Sequence, residues 1–375
     1  MSEWPMVKLG EYCDVIMGQA PKGIDVNQDL MGLPLIAGAG DFSSTGVEVS
    51  KWTEKPTKTC IINDIILSVR ATVGTYRFAD RDYCLGRGVA ALRAKDNLDQ
   101  KYLSFVIDFY RTKLLSAARG ATFLQISKAD IETLMIPLPP LGEQKRIAEI
   151  LGGVAEAEQH VQDTLELLNE VAKSSFYTFC GIPDHFERRK KLGEIAIVAT
   201  GNTPPRKDPS NYGSDIEWIK SDNLGSIFPT PASEFLSEEG VKRGRLAAPG
   251  SLLMTCIAGS IKSIGKCSVV NREVAFNQQI NSIKPVNNED LYYLYLLFYV
   301  APYLVQRRST GGLKGIVKKS SLEMCEIPWP ERKVRQMIGT FCQEWINCRL
   351  LVMRKLSLLQ ELQKSLATRA FAGLL

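Results

Sequence analysis

Basic and amide side chains in the turn-rich parts of this 375-residue chain are the residues best suited to a chemical role. Lysine and arginine neutralise phosphates, arginine also hydrogen-bonds the edge of guanine, and asparagine and glutamine suit the edge of adenine. Such residues recur in two separate stretches and predict contacts with nucleic acid, although each one alone could be a solvated surface charge. The candidates are Lys22, Arg70, Arg77, Arg87, Arg93 and Arg119 in the first stretch and Arg206, Lys207, Lys220, Lys262, Lys266, Gln278 and Lys314 in the second.

The sequence contains no arrangement typical of a self-contained catalytic centre. The two histidines are His160, in a helical pattern, and His185, in a linker, so a Ser-His or Cys-His couple is not predicted. Gly265-Lys266 is followed by Cys267 and does not form a phosphate-binding Walker motif. The Asn-Thr-Pro-Pro of residues 202–205 is not the Asn-Pro-Pro-aromatic loop of adenine methyltransferases. We therefore expect no catalytic residues, no metal site and no cofactor in this chain.

Composition limits the class of protein. Hydrophobic residues make up 45% and charged residues 23%, which is typical of a globular protein. The net charge of +5 permits a polyanionic partner without proving one. The nine cysteines include no Cys-x-x-Cys and are widely spaced, which favours reduced thiols. No signal peptide or membrane span is predicted, so we expect a cytoplasmic protein.

The chain contains two copies of one sequence pattern. The Lys-Leu-Gly-Glu of residues 8–11 recurs at 191–194, an offset of 183 residues. The Ile-Pro-Leu-Pro of residues 136–139 recurs as Ile-Pro-Trp-Pro at 327–330, an offset of 191. The change of offset places about eight extra residues in the first half of the second copy. Each copy has a longer and a shorter segment, which predicts four parts with the bounds 1–140, 141–180, 181–330 and 331–375.

The two longer segments have the pattern of mixed α/β domains. Short apolar runs bounded by Gly, Pro, Asn and Asp are typical of strands and turns, and a helical stretch precedes the proline motif in each copy. The two shorter segments each predict one long helix. The predicted fold class is therefore α/β (α+β), with two similar domains separated by two long helices.

Heptad spacing of apolar residues predicts that the two long helices form a coiled coil. One apolar residue recurs at every seventh position, and a second series is interleaved with it, although Lys355 interrupts that series in the second helix. The alternative is two separate amphipathic helices, each packed on its own domain. The predicted seam residues are Ile147, Ile150, Val154, Val161, Leu168 and Val171 in the first helix and Ile338, Phe341, Trp345, Val352, Leu359 and Leu362 in the second.

The order of the four segments determines the direction of the helices. The first helix leaves one domain and the second begins at the other, so the helices run antiparallel if they pair. Two similar domains at opposite ends of such a pair would be related by a pseudo-two-fold axis.

Several motifs resemble the specificity subunit of type I restriction-modification systems. The Pro-Leu-Pro-Pro-Leu of residues 137–141 is followed by Glu143-Gln144 and then by Ile147-Ala148. The repeated Lys-Leu-Gly-Glu and the glycine turns at 120–122 and 311–312 add to the resemblance, which covers essentially the whole chain. The second copy departs from it, because Val334-Arg335 stands in place of Glu143-Gln144.

The resemblance implies that each longer segment is a target recognition domain for one half of a bipartite double-stranded DNA site. The long helices would set the spacer between the half-sites and dock two modification subunits, which bring S-adenosylmethionine and adenine methylation. Restriction subunits with motor and nuclease activity would add ATP-dependent cleavage. Because the copies share framework residues but differ in their loops, the two half-sites should differ in sequence.

Three alternatives remain at this stage. The first is the recognition subunit of a related methylation or phage-defence system without ATP-driven cleavage. The second is a freestanding nuclease or methyltransferase, against which the missing motifs argue. The third is a coiled-coil adaptor that binds proteins at both ends.

Overall fold

The computed structural model describes residues 4–43, 46–120, 124–310 and 315–375. The chain divides into unit 1, which comprises residues 1–160 and 356–375, and unit 2, which comprises residues 161–355. Each unit combines the longer segment of one copy with parts of both long helices. Among the described residues, no helix has both the length and the apolar character that crossing a bilayer requires.

Unit 1 contains two main sheets. The four-stranded sheet is antiparallel, whereas the five-stranded sheet includes one parallel pair. The strands of unit 1 are β1 (Met6–Lys8), β2 (Cys13–Met17), β3 (Val26–Asn27), β4 (Leu33–Ile36), β5 (Trp52–Thr53), β6 (Thr59–Cys60), β7 (Ile65–Ser68), β8 (Tyr76–Phe78), β9 (Tyr83–Leu85), β10 (Val89–Ala94) and β11 (Met135–Pro137). The strand orders are β2-β10-β7-β8 and β3-β5-β4-β9-β6, and β1 pairs with β11.

Unit 2 has the same plan with different loops. Its strands are β12 (Arg189–Lys191), β13 (Ala196–Thr200), β14 (Tyr212–Ile219), β15 (Phe235–Leu236), β16 (Leu246–Ala247), β17 (Leu252–Thr255), β18 (Ile257–Ala258), β19 (Cys267–Val269), β20 (Val274–Phe276), β21 (Ile280–Pro285), β22 (Gly315–Ile316) and β23 (Glu326–Pro328). The strand orders are β13-β21-β17-β19 and β15-β14-β20-β16, with the additional pairs β12-β23 and β18-β22.

The helices are short within the domains and long at the two shorter segments. They are α1 (Leu9–Tyr12), α2 (Gln100–Phe109), α3 (Arg111–Ala117), α4 (Lys128–Glu132), α5 (Leu141–Cys180), α6 (Leu192–Ile195), α7 (Glu238–Arg243), α8 (Leu291–Val300), α9 (Tyr303–Gln306), α10 (Lys319–Glu323) and α11 (Arg332–Ala372). The predicted class, two similar mixed α/β domains with two long helices, is confirmed.

Strand equivalences explain the repeat and locate the extra residues of the second copy. Strands β2, β10, β7 and β8 correspond to β13, β21, β17 and β19, and the parallel pair β4-β9 corresponds to β14-β20. Seven residues, 69–75, connect β7 to β8, whereas eleven, 256–266, connect β17 to β19. The remaining extra residues lie between β14 and β17. The difference in length is therefore confined to two of the connections between the equivalent strands.

A buried tyrosine joins the proline motif to the preceding helix in each copy. The Tyr102 hydroxyl on α2 donates to the Pro137 carbonyl at 2.8 Å, and the Tyr293 hydroxyl on α8 donates to the Pro328 carbonyl at 2.5 Å. A buried carbonyl group needs a hydrogen-bond donor, and the tyrosine hydroxyl provides one in each copy. Tyr102-Leu103 of α2 recurs as Tyr293-Leu294 of α8, and this contact accounts for the tyrosine of the pair.

The long helices pack antiparallel within each unit. In unit 2, the Trp345 indole N–H of α11 donates to the Leu168 carbonyl of α5 at 2.8 Å, and Phe179 and Phe341 have ring centroids 6.1 Å apart. Residue numbers therefore increase along α5 in the direction in which they decrease along α11, as in an antiparallel pair. In unit 1, Arg146 near the start of α5 donates to the carbonyl of Leu375, just beyond the end of α11, at 2.9 Å. A coiled coil along the whole length of the helices stays a prediction.

Burial along the helices differs between the two predicted seam series. In the seventh-position series, Ile147, Val161, Ile338 and Trp345 are buried, and Val154, Leu168, Val352 and Leu359 are half-buried.

In the interleaved series, the residue one position after the predicted one is the more deeply buried at three places. Val171 and Leu362 are each 45% exposed, while Leu151, Ala172 and Cys342 are fully buried. The predicted Ile150 and Phe341 are only half-buried. A heptad permits steps of three then four or of four then three, and the later positions of α5 include Glu158. In α11 the later series replaces Lys355 with Leu356 but also places Arg349 and Gln363 where the predicted series has Cys348 and Leu362, so neither series is wholly apolar and the seam stays a prediction.

Candidate nucleic-acid interface

A cleft opens in unit 1 where strand β4 ends, beside the turn between β9 and β10. We call it cleft 1. It has a volume of about 730 Å³ and is lined by residues 37–40, 70–72 and 86–88, with Ala20 and Leu35. Arg70 and Arg87, seventeen positions apart in the sequence, both belong to this lining. Antiparallel pairing of β7 with β10 brings their loops to one edge.

Glycines allow the backbone to fold tightly at this edge. The Gly86 N–H donates to the Ile36 carbonyl at 2.7 Å, and the Gly88 N–H donates to the Ala37 carbonyl at 3.0 Å. A Cβ atom on Gly88 would lie 2.4 Å from the Ala37 carbonyl oxygen, so a larger residue would separate the two segments. The turn that carries Arg87 is therefore held firmly to the end of β4.

The cations of cleft 1 are available to a ligand. Arg70 and Arg87 are exposed, and within the described residues neither has a carboxylate at ion-pair distance. Ala71, which also lines the cleft, has φ of 59°, a left-handed conformation that non-glycine residues adopt at an energetic cost. Such strain often accompanies a functional loop.

Cleft 2 occupies the equivalent place in unit 2 and has a different lining. It has a volume of about 500 Å³ and includes Ser221, Asp222, Lys266 and Gln279. These residues lie after β14, before β19 and in the turn between β20 and β21. Gln278, at the tip of that turn, stands 191 residues after Arg87. The small residues of cleft 1 are thus replaced by polar side chains on the same backbone plan.

An ion network anchors the edge of cleft 2. Glu234 binds both Lys220 and Arg206, the latter at 2.7 Å. The hydrogen bonds from Lys220 and then Arg206 hold the pKa of Glu234 below its usual value. The Arg206 guanidinium also lies 4.8 Å from the ring centroids of both Tyr212 and Trp218. Arg206 and Lys220 therefore support the loop structure, whereas Lys266 and Lys262 are exposed without an ion pair in the described part of the chain.

The remaining predicted residues that the structure describes do not line the clefts. Arg93 forms two hydrogen bonds, at 2.9 and 2.7 Å, with the buried carboxylate of Asp64. Arg77 donates to the Ser43 carbonyl at 2.8 Å. Arg119 lies 3.6 Å from Asp130 and is largely exposed.

Lys22 and Lys207 are exposed, and Lys314 lies outside the described residues. Arg77 and Arg93 consequently have structural contacts that the sequence did not reveal.

Sequence reasoning missed several polar residues of cleft 2. The Ser221 hydroxyl lies 3.1 Å from the Gln279 amide oxygen, and the Asn277 amide donates to that same oxygen at 3.2 Å. Aligning the copies by their offset would have identified these positions, since they correspond to the glycines of the first copy. Among the described residues, no group of His, Cys, Asp or Glu side chains is placed to bind a metal.

A second pair of equivalent cavities lies beside the long helices, and we call them the helix grooves. In unit 1, a cavity of about 560 Å³ lies between α2 and α5 and is lined by residues that include Phe105, Lys145, Ala148 and Gly152. In unit 2, a cavity of about 440 Å³ lies between α8 and α11, and Gly339 corresponds there to Ala148. Both grooves leave part of each long helix accessible.

Comparison with known proteins identifies related sequences. The family model described as type I restriction modification DNA specificity domain matches residues 1–167 and 183–360. The MjaX type I specificity subunit of Methanocaldococcus jannaschii is 36% identical over 155 residues, which cover 40% of this chain and 36% of that protein. The MjaVIII specificity subunit of the same organism is 27% identical over 242 residues, covering 60% and 56%. The matches thus span about a third to a half of these relatives.

Solved structures share the fold. The S subunit of the type I restriction-modification system of M. genitalium aligns with a TM-score of 0.60 at 16% identity, covering 99% of this chain and 96% of that one. A chain from a study of complex assembly in the type I system aligns with a TM-score of 0.52 at 19% identity, covering 99% and 98%. At these identities the likeness concerns the fold.

Proposed function

Since this chain belongs to the type I restriction modification DNA specificity family, we propose that it is the DNA-recognition subunit of a type I restriction-modification complex. Residues 1–140 and 181–330 would be the two target recognition domains, each of which binds one half of a bipartite site. The chain would contribute recognition, and other subunits would contribute the chemistry.

The pair of equivalent clefts is the observation that carries this proposal. Each cleft lies at the same edge of the same sheet plan, and each has a turn hydrogen-bonded to the end of a parallel strand. The linings differ: cleft 1 has small residues and two arginines, whereas cleft 2 has Asp222, Lys266 and Gln279. Two clefts that share a backbone arrangement but differ in their lining side chains suit two half-sites of different sequence.

The available charges support a polyanionic ligand. Arg70 and Arg87 in cleft 1, and Lys262 and Lys266 at cleft 2, are exposed. With a net charge of +5, the chain can attract DNA while partner subunits supply further phosphate contacts.

The long helices would serve as the spacer between the half-sites. Residues 141–180 and 331–375 would form an antiparallel coiled coil that sets the separation of the two domains. The antiparallel packing within each unit supports this arrangement.

The helix grooves offer equivalent surfaces for two modification subunits. Their repetition in the two units supports one modification subunit per copy. Restriction subunits would join the resulting complex and cleave unmodified DNA. We place the complex in the cytoplasm, which agrees with nine cysteines that are all unpaired.

Binding to a split duplex tests the function. The chain assembled with its modification subunits should bind a bipartite duplex with an affinity that falls steeply between 50 and 200 mM salt, by roughly 10³-fold or more if six or more phosphates are contacted. Equal affinity for a scrambled duplex would refute sequence recognition. Protein capture without any DNA binding would favour the adaptor alternative, and methylation without ATP-dependent cleavage would favour a related methylation system.

A further inference from the structure

We infer that unit 1 selects guanine through Arg87 and that unit 2 selects adenine through Gln278. These residues occupy one position of the repeat, 191 residues apart. The inference rests on the proposed function, because it names the base recognised at each cleft.

The backbone holds both residues in the same way. Each is the middle residue of a three-residue turn, 86–88 between β9 and β10 or 277–279 between β20 and β21. The N–H of the first turn residue donates to the carbonyl of the last residue of the parallel strand. In unit 1, Gly86 donates to Ile36 of β4 at 2.7 Å, and in unit 2, Asn277 donates to Ile219 of β14 at 3.1 Å. Arg87 and Gln278 therefore project from equivalent, fixed backbones.

The turn is fixed at its other end as well. The Gly88 carbonyl accepts from the Val69 N–H at 2.9 Å, and the Gln279 carbonyl accepts from the Cys256 N–H at 2.8 Å. A base-recognising side chain needs such a rigid base, since small shifts disrupt paired hydrogen bonds.

Arg87 has the chemistry and freedom to recognise guanine. Its guanidinium can donate two hydrogen bonds to the O6 and N7 atoms of guanine. The neighbouring lining of residues 37–40 is Ala-Gly-Ala-Gly, whose side chains offer no competing acceptor. The exposed guanidinium is thus available to a base edge.

Gln278 has an amide whose orientation is set. The Thr203 hydroxyl donates to the Gln278 side-chain oxygen, which leaves the amide N–H groups directed elsewhere. The amide nitrogen can then donate to N7 of adenine while the oxygen, through its second lone pair, accepts from the N6 amino group.

The exchange of arginine for glutamine favours base recognition over a phosphate contact. A glutamine amide can donate to a phosphate oxygen, but it provides none of the charge neutralisation that makes arginine effective there. Both side chains, however, are planar and can form two parallel hydrogen bonds with a purine edge. The two copies therefore share, at this position, a planar side chain that can form two hydrogen bonds, and base recognition needs such a side chain.

A selection experiment tests the assignment. The full chain, assembled with its modification subunits, is mixed with a library of duplexes in which both half-sites are randomised, and the bound duplexes are sequenced. Arg87→Gln should change one position of one half-site from guanine to adenine, and Gln278→Arg should change one position of the other from adenine to guanine. The preference ratio at each position should change by about 5–150-fold.

Matched variants control for charge and folding. Arg81→Gln removes an exposed arginine whose partner is Asp80 and which lies outside cleft 1. Asn271→Arg adds an arginine before β20, at the end opposite the turn of Gln278. Neither should change a base preference. Arg87→Ala and Gln278→Ala should each flatten the preference at the same single position.

Two outcomes separate the inference from the proposed function. If the unmodified complex selects a bipartite site, but the Arg87 and Gln278 variants keep its base preferences or weaken all duplexes equally, the inference is wrong and the proposed function stands. If the unmodified complex binds all duplexes equally, the proposed function itself fails.

Discussion

Gln144 and Arg335 occupy the same position in the two copies, and each donates to the carbonyl of the proline five residues earlier. Gln144 bonds to Pro139 at 2.8 Å and Arg335 to Pro330 at 2.7 Å. Gln144 also accepts from the Asp99 N–H at 2.8 Å, whereas Arg335 binds the carboxylate of Asp290, the equivalent of Asp99, at 2.7 Å. Different side chains thus join the start of each long helix to the preceding proline motif and to the aspartate before α2 or α8.

Loss of Arg335 should destabilise the protein strongly. Arg335→Ala leaves the buried carboxylate of Asp290, 5% exposed, without its charged partner. We expect a loss of about 3–5 kcal/mol in the free energy of unfolding, measured by urea denaturation. The matched variant Arg332→Ala removes an exposed ion pair with Glu289 and should cost at most about 1 kcal/mol. Equal costs for the two variants would show that the buried pair has no special role.

Burial along α5 predicts unequal costs for apolar truncations. Leu151→Ala removes a fully buried side chain and should lower the free energy of unfolding by about 2–5 kcal/mol. Val171→Ala removes one that is 45% exposed and should cost less than about 1 kcal/mol. Thermal unfolding monitored by circular dichroism compares them. A larger cost at Val171 would contradict this order and favour Val171 as a contact between the two helices.

Substitution of Arg93 should lower the stability of the protein, whereas substitution of Arg87 should weaken DNA binding. Arg93→Ala leaves Asp64 buried and unpaired, so it should lower stability by about 1–3 kcal/mol and leave the salt dependence of DNA binding unchanged. Arg87→Ala should keep stability within about 0.5 kcal/mol and weaken DNA binding. Denaturation and binding titrations on both variants provide the measurement, and weakened DNA binding by a fully folded Arg93→Ala would assign Arg93 to the interface.

Shortening both helices should change the spacer of the DNA site. Removing seven residues from α5 and seven from α11 shortens each by about 10 Å, since the rise is ~1.5 Å per residue. This length corresponds to about three base pairs of DNA. Mapping methylated adenines for the shortened complex should show a shorter spacer or a loss of activity. Removal from α5 alone, which breaks the pairing, is the control, and an unchanged spacer would exclude the helices as its determinant.

Local features of the chain could be predicted because their causes are local. The repeat places the Tyr-Leu pair and the proline motif in both copies, and apolar periodicity predicts two long helices, as the structure has them. The fold class follows from these patterns, since strand, turn and helix preferences depend on neighbouring residues.

Contacts between distant residues could not be predicted in this way. Arg93 pairs with Asp64, twenty-nine residues earlier, because β10 lies beside β7 in the sheet. Nothing in the local sequence distinguishes this arginine from Arg87, which remains available at the cleft.

The sequence by itself determined two copies of a mixed domain, each followed by a long helix, since a repeat and a hydrophobic period are properties of order along the chain. Tertiary structure decided which cations meet in the clefts and which of two adjacent residues is buried along each helix. The physical reason is that burial and ion pairing depend on what lies opposite a side chain, and the strand pairing and helix packing that set this join residues far apart in sequence.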